Sequence, residues 1–141
     1  MVILNGKDHC TIANTIVNEN IKKINEKIAE VTVISDSNIF IPVENSKIEI
    51  EDITALVYNR ITQIYISFKT NTDIDPALAS IAVGTLNPDL IKLPRKVIII
   101  GGLKFNAQIN RAGAVYLSNV SGVTMPAGKS TNVSGVYINA D

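Results

Sequence analysis

Ile61-Thr62-Gln63-Ile64-Tyr65-Ile66-Ser67-Phe68 and Lys104-Phe105-Asn106-Ala107-Gln108-Ile109-Asn110 decide the fold class of this chain. Successive side chains of an extended strand point to opposite faces. Ile64, Ile66 and Phe68 therefore share one face of the first stretch, and Phe105, Ala107 and Ile109 share one face of the second. Lys104, Asn106, Gln108 and Asn110 take the other side, so the second stretch reads as a half-wet strand. Outward from these two, short β-type runs recur between turn residues. Candidate strands are Val31–Ile34, Ile39–Val43, Lys47–Ile50, Thr54–Tyr58, Ile61–Phe68, Ser80–Val83, Val97–Ile100, Lys104–Asn110, Ala114–Ser118 and Val133–Ile138. Asn110-Arg111-Ala112-Gly113 reads as a hairpin loop in which Gly113 supplies a positive φ. Pro126-Ala127-Gly128 turns the chain ahead of the last strand. Many short strands with no alternating helices predict an antiparallel sandwich or barrel.

Ahead of residue 31 the period changes. Val17, Ile21, Ile24, Ile28 and Val31 are spaced by four, three, four and three, a heptad seam separated by polar, helix-compatible residues. Isoleucine at both core positions favours three or four strands over two in parallel coiled coils. The alternative is an amphipathic helix packed on its own domain, since a helix of about 15 residues spans only about 22 Å and is marginal alone. The expected organisation is residues 1–31 as an N-terminal segment with a trimeric coiled-coil stalk, and residues 32–141 as a β-sandwich head.

Composition narrows the function classes. The chain has 141 residues, 46% hydrophobic and 18% charged, which argues against disorder. Lys+Arg and Asp+Glu balance at 13 each, so no polyanionic partner is indicated and nucleic-acid binding is not expected. Lys92, Arg95 and Lys96 form the nearest thing to a basic cluster and read as a solvated loop. The apolar run Val97–Ile100 is far below a membrane span, and Val2-Ile3-Leu4 is too short for a signal h-region. One cysteine, Cys10, allows no internal disulfide. The expectation is synthesis in a bacterial cytoplasm and no association with membrane.

The C-terminal part also carries a resemblance. The strand Ile61–Phe68 is followed by a polar Thr/Asn/Asp loop, then by Gly84-Thr85-Leu86-Asn87-Pro88 through Leu93-Pro94. A hairpin over Ala107–Val115 and a terminal strand Val133-Ser134-Gly135-Val136-Tyr137-Ile138 complete the layout. It resembles the C-terminal head domains of tail-fibre and baseplate receptor-binding proteins from phages of Gram-positive bacteria, over roughly residues 53 to 139. The resemblance implies a homotrimer with a helical N-terminal region and a jelly-roll-like head that grips host cell-wall saccharide, located on the virion. The Ile-rich heptads stand where that family often carries its stalk. The sequence departs from expectation in having no tryptophan, because saccharide C–H surfaces commonly pack on aromatic rings. Tyr58, Tyr65, Tyr116 and Tyr137 all fall in candidate strands, where core or inter-chain packing is the expected role.

No catalytic set is expected. A hydrolase needs paired carboxylates or a nucleophile with its base. Asp73 and Asp75, in Thr72-Asp73-Ile74-Asp75-Pro76, read as turn-capping loop residues with too few companions for Ca²⁺. Glu49, Glu51 and Asp52 read as the wet face of an edge strand. His9 and Cys10 are adjacent, a poor geometry for a nucleophilic pair, and zinc would need more ligands. Gly101-Gly102 marks a bulge or close backbone approach. No metal or cofactor is expected.

The candidate receptor-binding residues are Asn71, Asp73, Arg95, Asn106, Gln108, Asn110 and Arg111, polar positions in expected loops or on exposed strand faces. The alternative is a structural fibre or decoration protein that holds another virion protein through residues 1–16, where Val2-Ile3-Leu4 can add as a strand to a partner. A glycan-degrading enzyme and a trimeric jelly roll of the tumour-necrosis-factor/C1q kind are the further rivals. The latter is disfavoured by the lack of disulfides.

Overall fold

A computed structural model of the protein describes residues 14–22 and 31–141. The chain divides into two compact units, Met1–Thr32 and Val33–Asp141. In the first, residues 14–22 form a helix, α1, on which Ile16, Val17 and Ile21 are exposed. Ile24 and Ile28 of the heptad reading lie outside the described residues, as do His9, Cys10 and the apolar Val2-Ile3-Leu4 segment. Val31, its last position, is the first residue of a strand, so the helical spacing ends before it.

Nine strands follow. They are β1 (Val31–Ile34), β2 (Phe40–Pro42), β3 (Ile48–Tyr58), β4 (Ile61–Thr70), β5 (Ile81–Leu86), β6 (Ile98–Gly101), β7 (Phe105–Ile109), β8 (Ala114–Asn119) and β9 (Ser130–Ile138). They form one sheet in the order β1-β3-β4-β9-β6-β7-β8-β5-β2. The fold is mainly β: one short helix, then a strongly curled antiparallel sheet that makes a half-barrel.

Two packed sheets are the sequence expectation; one sheet is found. The reason lies at the β9–β6 junction. β9 pairs with β4 at nine successive positions, from Ile61↔Ile138 to Lys69↔Ser130. It meets β6 at a single pair, Gly101↔Ser134. Two glycines permit that contact. A Cβ on Gly135 would collide with the side chain of Ile100, and one on Gly102 with the carbonyl oxygen of Asn132. The Gly101-Gly102 pair is thus a close backbone approach, as its sequence implies.

Curling brings the inner faces of β4 and β7 together although two strands separate them in the sheet. The Phe68 and Phe105 rings meet edge to face, centroids 5.1 Å apart and planes at 83°. Ile64, Ile66, Ala107, Ile109, Val115, Leu117 and Val133 complete a fully buried core. Each large side chain there contributes roughly 1.5–3 kcal/mol by leaving water.

Ten candidate strands become nine because of one bulge. Ile48 faces inward and Ile50 is half-buried, but after an irregularity between Ile50 and Asp52 the inward positions are Ile53 and Ala55. The extra residue reverses the phase of alternation, which makes one 11-residue strand read as two. Nor is β3 an edge strand, since β1 and β4 flank it; the edges are β1 and β2. The turn readings hold. Gly113 has φ +89° in the β7–β8 hairpin and Gly128 has φ +78° before β9. The expected strand at Ile39–Val43 starts one residue later, because a 3-10 turn at Ser37–Ile39, capped by Asp36, occupies its first residue.

Candidate functional site

A half-barrel leaves an open seam between its two ends, and a groove among the described residues lies there. The groove encloses about 480 Å³, within the range of small-ligand sites. Phe40 of β2, Val83 of β5, and Ile48 and Ile53 of β3 supply its apolar side. Glu44, Asn45, Glu49, Glu51, Asp52 and Asn71 supply its polar side.

Local sequence explains each contribution. Gly84 lets β2 close on β5, because a Cβ there would strike the Phe40 ring and the Ile41 carbonyl. That contact holds Phe40 against the wall. Asn45 folds the β2–β3 loop onto itself: its Oδ1 accepts from the backbone N–H groups of Lys47 at 3.1 Å and Ile48 at 2.7 Å. The β3 bulge is what turns Glu51 and Asp52 outward in succession. Glu51 Oε1 accepts from the Ser130 hydroxyl at 2.6 Å, and Asp52 Oδ2 from the Thr54 hydroxyl at 3.4 Å. Among the described residues, no hydrogen bond engages the Glu44 or Glu49 carboxylate, so both are free for a ligand. An apolar wall opposite amides and carboxylates suits a ligand with an apolar face and a rim of hydroxyl or cationic donors.

The sequence candidates do not converge. Asn71 alone lines this groove, where its backbone N–H donates to the Lys47 carbonyl at 2.8 Å. Asp73 and Asp75 are tied down at the far side of the same loop. Asp73 Oδ1 accepts from the Ala127 N–H at 2.9 Å, and Asp75 Oδ1 from the Thr124 hydroxyl at 2.6 Å. The buried Asn119 amide seals that junction by donating to the carbonyls of Ile74 and Val123, both at 2.8 Å. These aspartates are turn-fasteners, which is the bland reading of their motif.

Asn110 and Arg111 sit at the opposite end of β8. There the Asn110 Oδ1 accepts from the Ala112 and Ala114 N–H groups and so builds the hairpin itself. Asn106 and Gln108 lie on the outer face of β7, opposite Ser118 and Tyr116 of β8. Arg95 is exposed, and its N–H donates to the Ile138 carbonyl at the end of β9. Seven candidates thus occupy five separate places.

Of the four tyrosines only Tyr137 is buried. Its hydroxyl donates to the Lys92 carbonyl at 2.6 Å. Burial pushes its pKa up to about 12, against a smaller opposite effect from the Thr62 hydroxyl. Tyr58 and Tyr65 stand about two-fifths exposed on the outer face of the sheet, so of the two expected packing roles the core one does not apply to them.

The groove residues were hidden in the sequence by the bulge. The signal that could have found them is the acidic series Glu44, Glu49, Glu51 and Asp52 interleaved with Ile48 and Ile50. No protein-family model matches the chain, and no curated protein is detectably similar to it.

Proposed function

We propose that this chain is a homotrimeric fibre or baseplate protein of a phage particle, whose β head binds a host cell-surface saccharide in the seam groove and catalyses no reaction. The observation that carries the binding half is the groove's chemistry. Pyranose rings pair apolar C–H faces with hydroxyl rims, and the groove pairs Phe40, Ile48 and Val83 with Glu44, Glu49 and Asn71. On this reading the head is a jelly-roll-like sandwich. Its halves, β1-β3-β4-β9 and β6-β7-β8-β5-β2, are linked by the single Gly101↔Ser134 pair. The Ile-rich heptads support the trimer, and residues 1–16 would hold another virion protein.

The test is binding of the intact chain to a panel of purified wall polysaccharides from Gram-positive bacteria. At least one should bind, and Glu49→Gln or Asn71→Ala should weaken it roughly tenfold or more. Retention of full binding in both variants removes the groove; no binding across the panel favours the second reading. That second reading is a structural fibre or decoration protein, and the extended apolar outer face of the sheet favours it.

A further inference from the structure

The outward-facing residues of β3, β4, β9 and β6 form a layer with its own order. Pairing places Tyr58 beside Ile61 and Ile61 beside Ile138. The next row is Leu56, Gln63 and Val136, and the next is Thr54, Tyr65 and Ser134. Ile99 stands two residues before Gly101, which pairs with Ser134, and Val97 shares a hollow with Val136 and Ile138. Eight large side chains, from Leu56 at 37% to Ile99 at 68% exposure, therefore lie side by side. No ionisable group other than the tyrosine hydroxyls stands within these rows. Arg60, Arg95 and Lys96 border one end, and Asp52 borders the other, with Glu49 opposite Lys69 in the row beyond.

Together the eight present on the order of 700 Å² of apolar surface, above the roughly 300–600 Å² that is the largest patch of a typical monomer. A standard protein interface buries about 800 Å² per partner. The area is thus that of one stable contact. An uncharged face needs an uncharged apolar complement. Among the described residues, the other exposed hydrophobics are Ile16, Val17 and Ile21 on α1, Val31 and Val33 on β1, and Ile41, Val43, Leu78, Leu90, Leu103, Val120 and Val123 scattered over loops and the β2 edge, each group smaller than this face. The surfaces that match this face in chemistry are the same face of other copies, set round a shared axis so that each copy meets one neighbour with either half of the face.

We infer that the outer face of β3-β4-β9-β6 is where copies of this chain pack on one another, with Leu56, Val136 and Ile99 at the centre of the contact. This rests on the self-assembling reading above and locates the assembly in the head rather than in the heptads alone. It also gives Tyr58 and Tyr65 a role at an interface, where aromatic side chains are enriched.

The experiment is sedimentation or light scattering of the intact chain against Leu56→Lys, Val136→Lys and Ile99→Lys, with Val123→Lys, exposed in the loop after β8, as the control. All four positions are solvent-facing, so each variant should keep the wild-type circular dichroism spectrum; three independent substitutions guard against one that does not. The expected result is an assembled wild type and control, with self-association weakened roughly tenfold or more in the three face variants. An assembled wild type whose face variants remain equally assembled overturns this inference while leaving the assembly reading intact. A monomeric wild type overturns both.

Discussion

Two halves of one sheet solve the inside in the same way and the outside in opposite ways. Inward, β4 presents Ile64, Ile66 and Phe68 while β7 presents Phe105, Ala107 and Ile109, all fully buried. Outward, β7 and β8 present Asn106, Gln108, Tyr116 and Ser118. β3, β4 and β9 present Leu56, Tyr58, Ile61, Val136 and Ile138 instead. The fold needs only the inner alternation, since one buried face is enough to fix register. On the inference drawn above, the outer difference is about partners: water for one half, another copy's surface for the other.

Substitutions that sample these faces test the comparison, starting where the effect is largest. Phe68→Ala removes half of the ring pair that joins the two halves. It should cost about 3–5 kcal/mol, read as a lower denaturation midpoint at unchanged slope. A loss below about 1 kcal/mol would mean that the halves do not share one core. Asn119→Ala leaves the Ile74 and Val123 carbonyls without the amide that now serves both, and should cost about 1–3 kcal/mol.

Tyr137 gives a pH-dependent version of the same test. Its pKa is about 12 in the folded chain against 10.0 for the free side chain. The unfolded state therefore releases the proton first as pH rises. The stability that the neutral buried hydroxyl represents is complete below pH 10 and is lost between pH 10 and 12. The expected outcome is an unfolding temperature that falls over that window in the wild type and falls less in Tyr137→Phe. Parallel curves would refute the buried hydroxyl. The smallest effects belong outside. Gln108→Ala and Val136→Thr should each change the stability of the dispersed chain by less than about 0.5 kcal/mol.

The inner face was legible in the sequence because alternation is a direct image of burial. Ile64, Ile66, Phe68, Phe105, Ala107 and Ile109 all lie where their spacing puts them. The turns at Gly113 and Gly128 were equally plain, since positive φ selects glycine. What was illegible depended on partners distant in the chain. The bulge at Ile50/Asp52 is a property of the β3–β4 register, and without it Glu51 and Asp52 read as an ordinary wet edge. The seam groove gathers residues from the stretch 35–53 together with Asn71 and Val83, and nothing local marks them as neighbours. Asn110 looked available for a ligand but spends its side-chain oxygen on its own hairpin. Val136-Tyr137-Ile138, a break in alternation, is a local trace of the apolar outer face that went unread. Only the register places Leu56, Ile61 and Tyr65 beside it.

Self-assembly in threes is the claim on which the fibre reading turns, and the solution mass of the intact chain tests it most directly. Light scattering after size exclusion should give about three times 15.2 kDa. A mass of 15.2 kDa, held across the accessible concentration range, would contradict the trimer and with it the fibre.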